Sequence, residues 1–370
     1  MKVLFLSNTA GQGHNATASA VMELLIEQGV ECKMIDTYAY IHPMLYEGLS
    51  KGYLLSTSKT PIAYGVWYRH SIKQKKHEKN SISMIANSIM ALKLKKFMRE
   101  FDPDVIVCTH VLSALLVSVM KKNGHINGTS IGIITDFTVH PFWQEADEID
   151  YFVTASELLT YEVVRRGLPE HKILPIGIPI SPKFDKKVEK EHAREMLGIE
   201  PNLFTVLLMS GSMGHGNILK MVLEMDMVEK EFQIIAVCGN NTQAKNDIDN
   251  LKTRKKVYSY GYVNNVELMM DAADCIVSKP GGLTTSEALA KNLPMIMINP
   301  IAGQEDCNVE FMLNNGLAML VTDTFSIDRA FYQLFLYPQK LLNMKSNVSL
   351  VGKPNATQDL CDFITKIKKS

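Results

Sequence analysis

The sequence predicts an α/β protein built as two similar domains, each a parallel sheet covered by helices on both faces. Short β-branched apolar runs alternate with longer helix-like stretches along the chain, and the series restarts after a proline-bearing segment near its middle. The length, 370 residues, is too great for one ordinary core and suits two.

The first half reads as strands over 3–7, 32–36, 105–109, 130–135, 151–155 and 172–177. Gly177-Ile178-Pro179-Ile180-Ser181-Pro182 then stops any helix, because proline lacks the amide hydrogen and crowds the preceding turn. Strands resume over 204–209, 232–238, 255–260, 274–278, 295–298 and 318–321. Domains are therefore expected over 1–178 and 179–354, followed by a C-terminal amphipathic helix over 355–370. In that helix Leu360, Phe363, Ile364 and Ile367 recur at helical spacing, so its apolar stripe needs a cover, and packing back on the first domain would provide one.

Composition excludes several classes. Lys and Arg number 39, as do Asp and Glu, so no global field recruits nucleic acid and an anionic partner must meet a local patch. The six cysteines stand singly without metal-ligand spacing and read as reduced core thiols. The N-terminal apolar run lacks the pattern of a signal peptide, and the stretch from Val111 to Met120 is about half of the roughly 20 residues a membrane span needs. A cytoplasmic protein is expected, with association to a membrane surface left open.

In paired Rossmann-like sheets a ligand is expected at the carboxyl ends of the strands, where such sheets leave a crevice, and three loops are placed to line it. The first runs from Ser7 through Gly11, Gly13 and His14 to Ala16. Taken alone, Gly11-x-Gly13-x-x-Ala16 with Asp36 after the second strand matches a dinucleotide fingerprint, which keeps an NAD-dependent oxidoreductase in play. The second loop, Gly211-Ser212-Met213-Gly214, allows close backbone approach to a diphosphate, although a plain βα turn would look the same. The third is Ser278-Lys279-Pro280-Gly281-Gly282-Leu283-Thr284-Thr285-Ser286-Glu287, with a helix expected from Ser286 to Asn292. Unpaired amides at a helix start favour a phosphate there, while Glu287, Gln304 and Glu305 offer acceptors for ribose and sugar hydroxyls. Thr284-x-x-Glu287 also has the form of a capping box, so Glu287 has a purely structural alternative.

Taken together, these loops and Thr135-Asp136-Phe137-Thr138-x-His140-Pro141-x-Trp143 resemble the monogalactosyldiacylglycerol synthase and processive diacylglycerol glucosyltransferase family. More distantly the chain is similar to the lipid-linked N-acetylglucosaminyltransferase of peptidoglycan synthesis. The resemblance implies a glycosyltransferase B fold, two Rossmann-like domains facing each other across a cleft, and inverting transfer of a hexose from a UDP-sugar to a lipid alcohol. It places the diphosphate on Gly211, Ser212, Met213, Gly214, Gly281, Gly282 and Thr284, the ribose on Glu287, the hexose on Gln304 and Glu305, and the uracil beside Tyr262 and Val263. Where the family pattern has arginine before the linker proline, this chain has Ser181, leaving Lys183 or Lys279 to compensate as point charges.

The chemistry itself asks for a base to take the acceptor proton and for positive charge to meet the departing diphosphate. His14 ranks first as base, with Asp136 as rival or as orienter of an imidazole. Helix N-termini and Lys279 meet the negative charge, so neither a metal nor another cofactor is expected; the aspartate pairs 102/104 and 247/249 lie at the wrong end of a sheet and on a polar helix. Between Tyr38 and Lys79 seven basic residues stand against two acidic ones among tyrosines and a tryptophan. That mixture suits an anionic membrane surface, which would put the protein at the inner face of the cell membrane and favour diacylglycerol as acceptor. A transferase using a non-lipid or polyprenyl-linked acceptor is the nearest alternative.

Overall fold

The computed structural model describes residues 1–8, 12–41, 89–209 and 217–367. The segment 42–88, which holds most of the basic and aromatic stretch, lies outside the described residues, as do Gly211, Ser212, Met213 and Gly214.

The chain forms two compact units, the first comprising Met1–Pro182, Ile301–Cys307 and Asn355–Ser370, the second Lys183–Pro300 and Asn308–Pro354. Ile301–Cys307, which lies within the 179–354 stretch of sequence, clusters with the first unit. Composition marks linkers along the chain, whereas compactness is a property of contacts through space, and this short stretch carries no compositional signal.

The first unit holds β1 (Lys2–Ser7), α1 (Gln12–Glu27), β2 (Glu31–Asp36), α2 (Thr37–Ile41), α3 (Ile89–Phe101), β3 (Val105–Cys108), α4 (Val111–Lys122), β4 (Thr129–Ile133), α5 (Phe142–Glu145), β5 (Tyr151–Val153), α6 (Thr160–Arg165) and β6 (Ile173–Leu174). Its sheet runs β2-β1-β3-β4-β5-β6, all pairs parallel. Val3, Leu4, Phe5 and Leu6 are fully buried, as are Val105, Ile106 and Val107, which is why these strands read as unbroken apolar runs rather than alternating ones.

The second unit holds α7 (Lys190–Leu197), β7 (Thr205–Met209), α8 (Ile218–Asp226), β8 (Gln233–Val237), α9 (Thr242–Asp249), β9 (Lys256–Tyr260), α10 (Val266–Ala272), β10 (Cys275–Ser278), α11 (Gly282–Ala290), β11 (Met295–Met297), α12 (Gln304–Asn314), β12 (Ala318–Leu320), α13 (Ile327–Leu336) and α14 (Pro338–Val351), with the first turn of α12 belonging to the first unit. The strand order is β12-β11-β10-β7-β8-β9, again all parallel. In each sheet the order reverses beside the first strand, between β1 and β3 and between β7 and β10, and these are the points where loops diverge to leave a crevice.

The last helix, α15 (Ala356–Lys366), lays Leu360, Cys361 and Ile364 into the core formed by Val3, Phe5, Ala18, Val21 and Leu25. Phe363 meets Tyr151 edge to face at 4.9 Å, and the Thr357 hydroxyl donates to the Ile180 carbonyl. One glycine in this unit is set by packing. A Cβ on Gly132 of β4 would stand 2.7 Å from Trp143 Cζ3, so glycine leaves the room that this buried indole occupies against the strand.

Candidate active site

In the first unit the strand-end loops converge on His14. It sits in the first turn of α1, directly after β1, and its Nδ1 lies 2.7 Å from the Thr109 carbonyl oxygen at the end of β3. Thr135 Oγ1, beyond β4, stands 3.2 Å from the same nitrogen. A carbonyl can only accept, so Nδ1 carries the proton and Nε2 keeps its lone pair. Burial holds the His14 pKa below the usual histidine value, while the Asp136 carboxylate and the Thr109 carbonyl pull it the other way. The ring is therefore a neutral base at neutral pH, with a carboxylate near enough to favour the imidazolium once it forms.

A second imidazole belongs to this group and was not singled out from the sequence. His110 caps α4 by accepting the Leu112 amide on its Nδ1 at 3.3 Å, and its ring meets that of His14 edge-on at 4.9 Å. Burial, and then the neighbouring His14, hold its pKa well below the usual value. Thr109, which anchors His14, also donates its hydroxyl to Ser7 at 3.1 Å, tying the ends of β1 and β3 together. Asking which polar residues directly follow each buried strand would have found Thr109 and His110, because that position faces the crevice in every parallel sheet of this kind.

The dinucleotide fingerprint opens α1, as that motif requires, and its acidic residue is engaged locally. Gly13 and Ala16 lie within α1, and Asp36 Oδ1 accepts the Ala39 amide at 2.9 Å, holding the start of α2. The paired aspartates also have structural employment. Asp104 accepts the Lys2 amide at 2.8 Å, and Asp249 binds Lys245 Nζ at 2.6 Å and the Ser259 hydroxyl. Among the described residues no group of three or more His, Cys, Asp or Glu side chains is placed to hold a metal.

In the second unit α11 starts at Gly282, four residues earlier than the expected Ser286. Gly281 takes the extended N-cap conformation and Gly282 opens the helix, with Ser286 already returning its hydroxyl to the Gly282 carbonyl at 2.8 Å. The capping box is thereby excluded, since Thr284 and Glu287 lie inside the helix. No side chain caps α11, in contrast to α9, where Asn241 accepts the Ala244 amide at 2.9 Å. The amides of Gly282, Leu283 and Thr284 have no acceptor within the helix. Ahead of them Lys279 is half-buried, and the Pro280 carbonyl is held by Asn308 Nδ2 at 2.9 Å.

Glu287 is the most perturbed acid here. Its carboxyl makes no hydrogen bond or ion pair among the described residues, and burial, with a further contribution from the Glu267 carboxylate, pushes its pKa up to about 8. Tyr262 and Val263 lie between β9 and α10, Tyr262 largely exposed and Val263 half-buried. Glu305 has a local role: its Oε2 accepts the Ile301 amide at 2.7 Å, while Gly303, at φ +89°, donates its amide to Asp306 at 2.8 Å. The Gln304 side chain lies outside the described residues. Lys183, offered as a substitute for the missing arginine, donates to the Asn264 carbonyl at 3.4 Å.

The order of these elements along the chain matches known proteins. Residues 14–180 fit the family model described as monogalactosyldiacylglycerol (MGDG) synthase, and residues 205–360 fit the C-terminal domain of glycosyltransferase family 28. Both halves of the chain thus carry glycosyltransferase domains, and the chain is a UDP-sugar-dependent glycosyltransferase. A processive diacylglycerol beta-glucosyltransferase of Bacillus cereus is 27% identical to it over 366 residues, covering 98% of this chain and 93% of the relative. Among solved structures, MurG of Acinetobacter baumannii is similar with a TM-score of 0.69 at 15% identity, covering 99% of both chains. The UDP-GlcNAc 2-epimerase of Neisseria meningitidis bound to UDP-GlcNAc reaches 0.60 at 15% identity over 99% of this chain and 100% of its own. These likenesses establish the glycosyltransferase B fold. That an epimerase shares it shows why the reaction must be argued from the residues.

Proposed function

We propose that this glycosyltransferase moves a hexose from a UDP-sugar to the hydroxyl of a lipid alcohol, diacylglycerol or glycosyl-diacylglycerol, with inversion at the anomeric carbon. The observation that carries the reading is His14, a buried neutral imidazole whose Nδ1–H is committed to the Thr109 carbonyl, leaving Nε2 to act as base. As the acceptor oxygen attacks, Nε2 takes its proton and the bond from the anomeric carbon to the diphosphate breaks, its electron pair leaving with UDP. Asp136 stabilises the resulting imidazolium.

On the donor side the uncapped start of α11 at Gly281, Gly282 and Thr284, the loop Gly211-Ser212-Met213-Gly214 and the Lys279 ammonium receive the diphosphate. Glu287 takes the ribose hydroxyls, Tyr262 and Val263 border the uracil, and Gln304 with Glu305 orients the hexose. The positive charge these groups supply makes a divalent metal unnecessary to the step. The relative's printed activity on diacylglycerol supports the lipid acceptor. No helix of the described residues is long and apolar enough to cross a membrane, and peripheral attachment at the inner face of the cell membrane, through the segment between Tyr38 and Lys79, fits that acceptor.

The test is to incubate the protein with diacylglycerol vesicles and each of a panel of UDP-hexoses, with and without EDTA, and to identify the glycolipid by mass spectrometry. A hexosyl-diacylglycerol formed equally in EDTA is expected. Release of free UDP with no sugar on lipid from any donor would remove the lipid acceptor and point to a polyprenyl-linked or soluble one. Full turnover by His14→Ala would remove the base.

A further inference from the structure

The hydrogen bonds of His14 leave one motion of its ring unrestrained. The Thr109 carbonyl and the Thr135 hydroxyl both meet Nδ1, at 2.7 and 3.2 Å, so they pin one corner of the imidazole. The ring plane can still turn about that corner, and a turn carries Nε2 away from an oxygen placed to give up its proton. His110 stands against that turn. Its ring lies at 85° to that of His14 with centroids 4.9 Å apart, within the edge-to-face range of aromatic pairs.

His110 is itself held. It is the N-cap of α4, and its Nδ1 accepts the Leu112 amide at 3.3 Å. Capping does not by itself account for a histidine here. Asn, Asp, Ser and Thr are the favoured caps, each with a smaller side chain, and an aspartate would set a second carboxylate beside a base that already has Asp136. A neutral imidazole caps without charge and adds a rigid plane. Because Thr109 and His110 are consecutive, the end of β3 supplies both the carbonyl that orients the His14 Nδ1–H and the ring that meets it edge-on. The Thr109 hydroxyl, donating to Ser7 at 3.1 Å, ties this pair to the end of β1 from which His14 departs.

We propose that His110 is a positioning residue for the transfer: its ring, fixed by the Leu112 amide, stops the His14 imidazole from turning and keeps Nε2 aimed at the acceptor oxygen, a role that rests on His14 being the base. His110 acts through His14 and takes no proton itself.

Two variants of the full chain separate positioning from capping. His110→Asn keeps the cap and loses the ring; His110→Phe keeps a flat ring and loses the acceptor for the Leu112 amide. In hexose transfer to diacylglycerol vesicles, His110→Asn should lower kcat about 10–100-fold while KM for the UDP-hexose stays within about twofold of the wild type. His110→Phe should turn over about tenfold faster than His110→Asn although it melts a few degrees earlier. Nitrogen-15 NMR of the imidazoles adds a readout that needs no turnover. The His14 signals, assigned by their loss in His14→Ala, should show a single Nδ1–H tautomer in the wild type and averaged ring nitrogens in His110→Asn, because a ring free to turn exchanges its bond to Thr109 for water. Wild-type kcat in His110→Asn, or a single Nδ1–H tautomer in that variant, would overturn the proposal, and these two results decide it even where His110→Phe does not fold. A folded His110→Phe no faster than His110→Asn would overturn it as well. Full turnover by His14→Ala would remove the base and this role with it, whereas an inactive His14→Ala beside a fully active His110→Asn would remove this role alone.

Discussion

Glu287 should destabilise the protein it serves, and replacing it by glutamine tests this. Its folded pKa of about 8 stands above the ordinary glutamate value of 4.5, so the folded state holds a proton that the unfolded state releases between those values. A raised acid pKa means that stability is complete below pH 4.5 and is lost as pH rises towards 8. Glu287 is half-buried, so solvent screening holds the penalty below the full integral, which is about 1.4 kcal/mol at pH 5.5, about 3 kcal/mol at pH 7 and about 5 kcal/mol at pH 9. Glu287→Gln is close in shape and cannot ionise, so it should be more stable than the wild type by amounts that grow with pH in that sequence. Urea unfolding from pH 5.5 to 9, with hydrogen exchange of the α11 amides to localise the effect, measures it. If Glu287 takes the ribose hydroxyls as proposed above, donor affinity should move the opposite way, UDP-sugar binding weakening by roughly tenfold. A variant no more stable than the wild type at pH 9, or one whose advantage does not change with pH, would refute the idea that partial burial beside Glu267 holds this carboxyl protonated.

Other expectations follow from the same geometry. His14→Ala should lower kcat by about 10²–10⁴-fold in the glycolipid assay with little change in the melting profile. With His14 as the proposed base and its pKa depressed, the wild-type acid limb of kcat/KM should have its midpoint below 6.5, and a midpoint above 6.5 would contradict the burial argument. The same depression in His14 and His110 makes the fold lose stability as pH falls from 6.5 through their lower folded values, which pH-dependent denaturation should show and His110→Asn should lessen. Gly132→Ala drives a methyl into the Trp143 ring and should destabilise by about 1–3 kcal/mol in urea unfolding. Lys291 and Asp271 form an ion pair whose side chains are each 1% exposed, so Lys291→Met should cost about 3–5 kcal/mol in urea unfolding, and adding Asp271→Leu should restore much of it.

Much of the architecture was legible because parallel sheets covered on both faces bury whole strands. Central strands such as β1, β3, β7 and β10 announce themselves as apolar runs, whereas the outer strands β2 and β9 carry charged and polar residues and are only partly buried. The amphipathic stripe of Leu360 and Ile364 likewise announced that α15 needed a cover, because one helix face of apolar side chains cannot be left in water. The candidate chemistry was legible in residue types: a histidine beyond the first strand, paired glycines before a helix, and an acid one turn further on.

Tertiary structure decided which of these groups act on one another. The sequence determined that His14 follows β1; only the β1–β3–β4 neighbourhood brings Thr109 and Thr135 to its Nδ1 and His110 to its ring, from positions about a hundred residues away along the chain. Likewise Thr284 and Glu287 fit a capping box by spacing, and the conformation of Gly281 moved the helix start so that the box never forms. The reason is general: hydrogen-bonding capacity belongs to the residue, but protonation and partner choice depend on burial and on neighbours that the chain supplies only when it closes on itself.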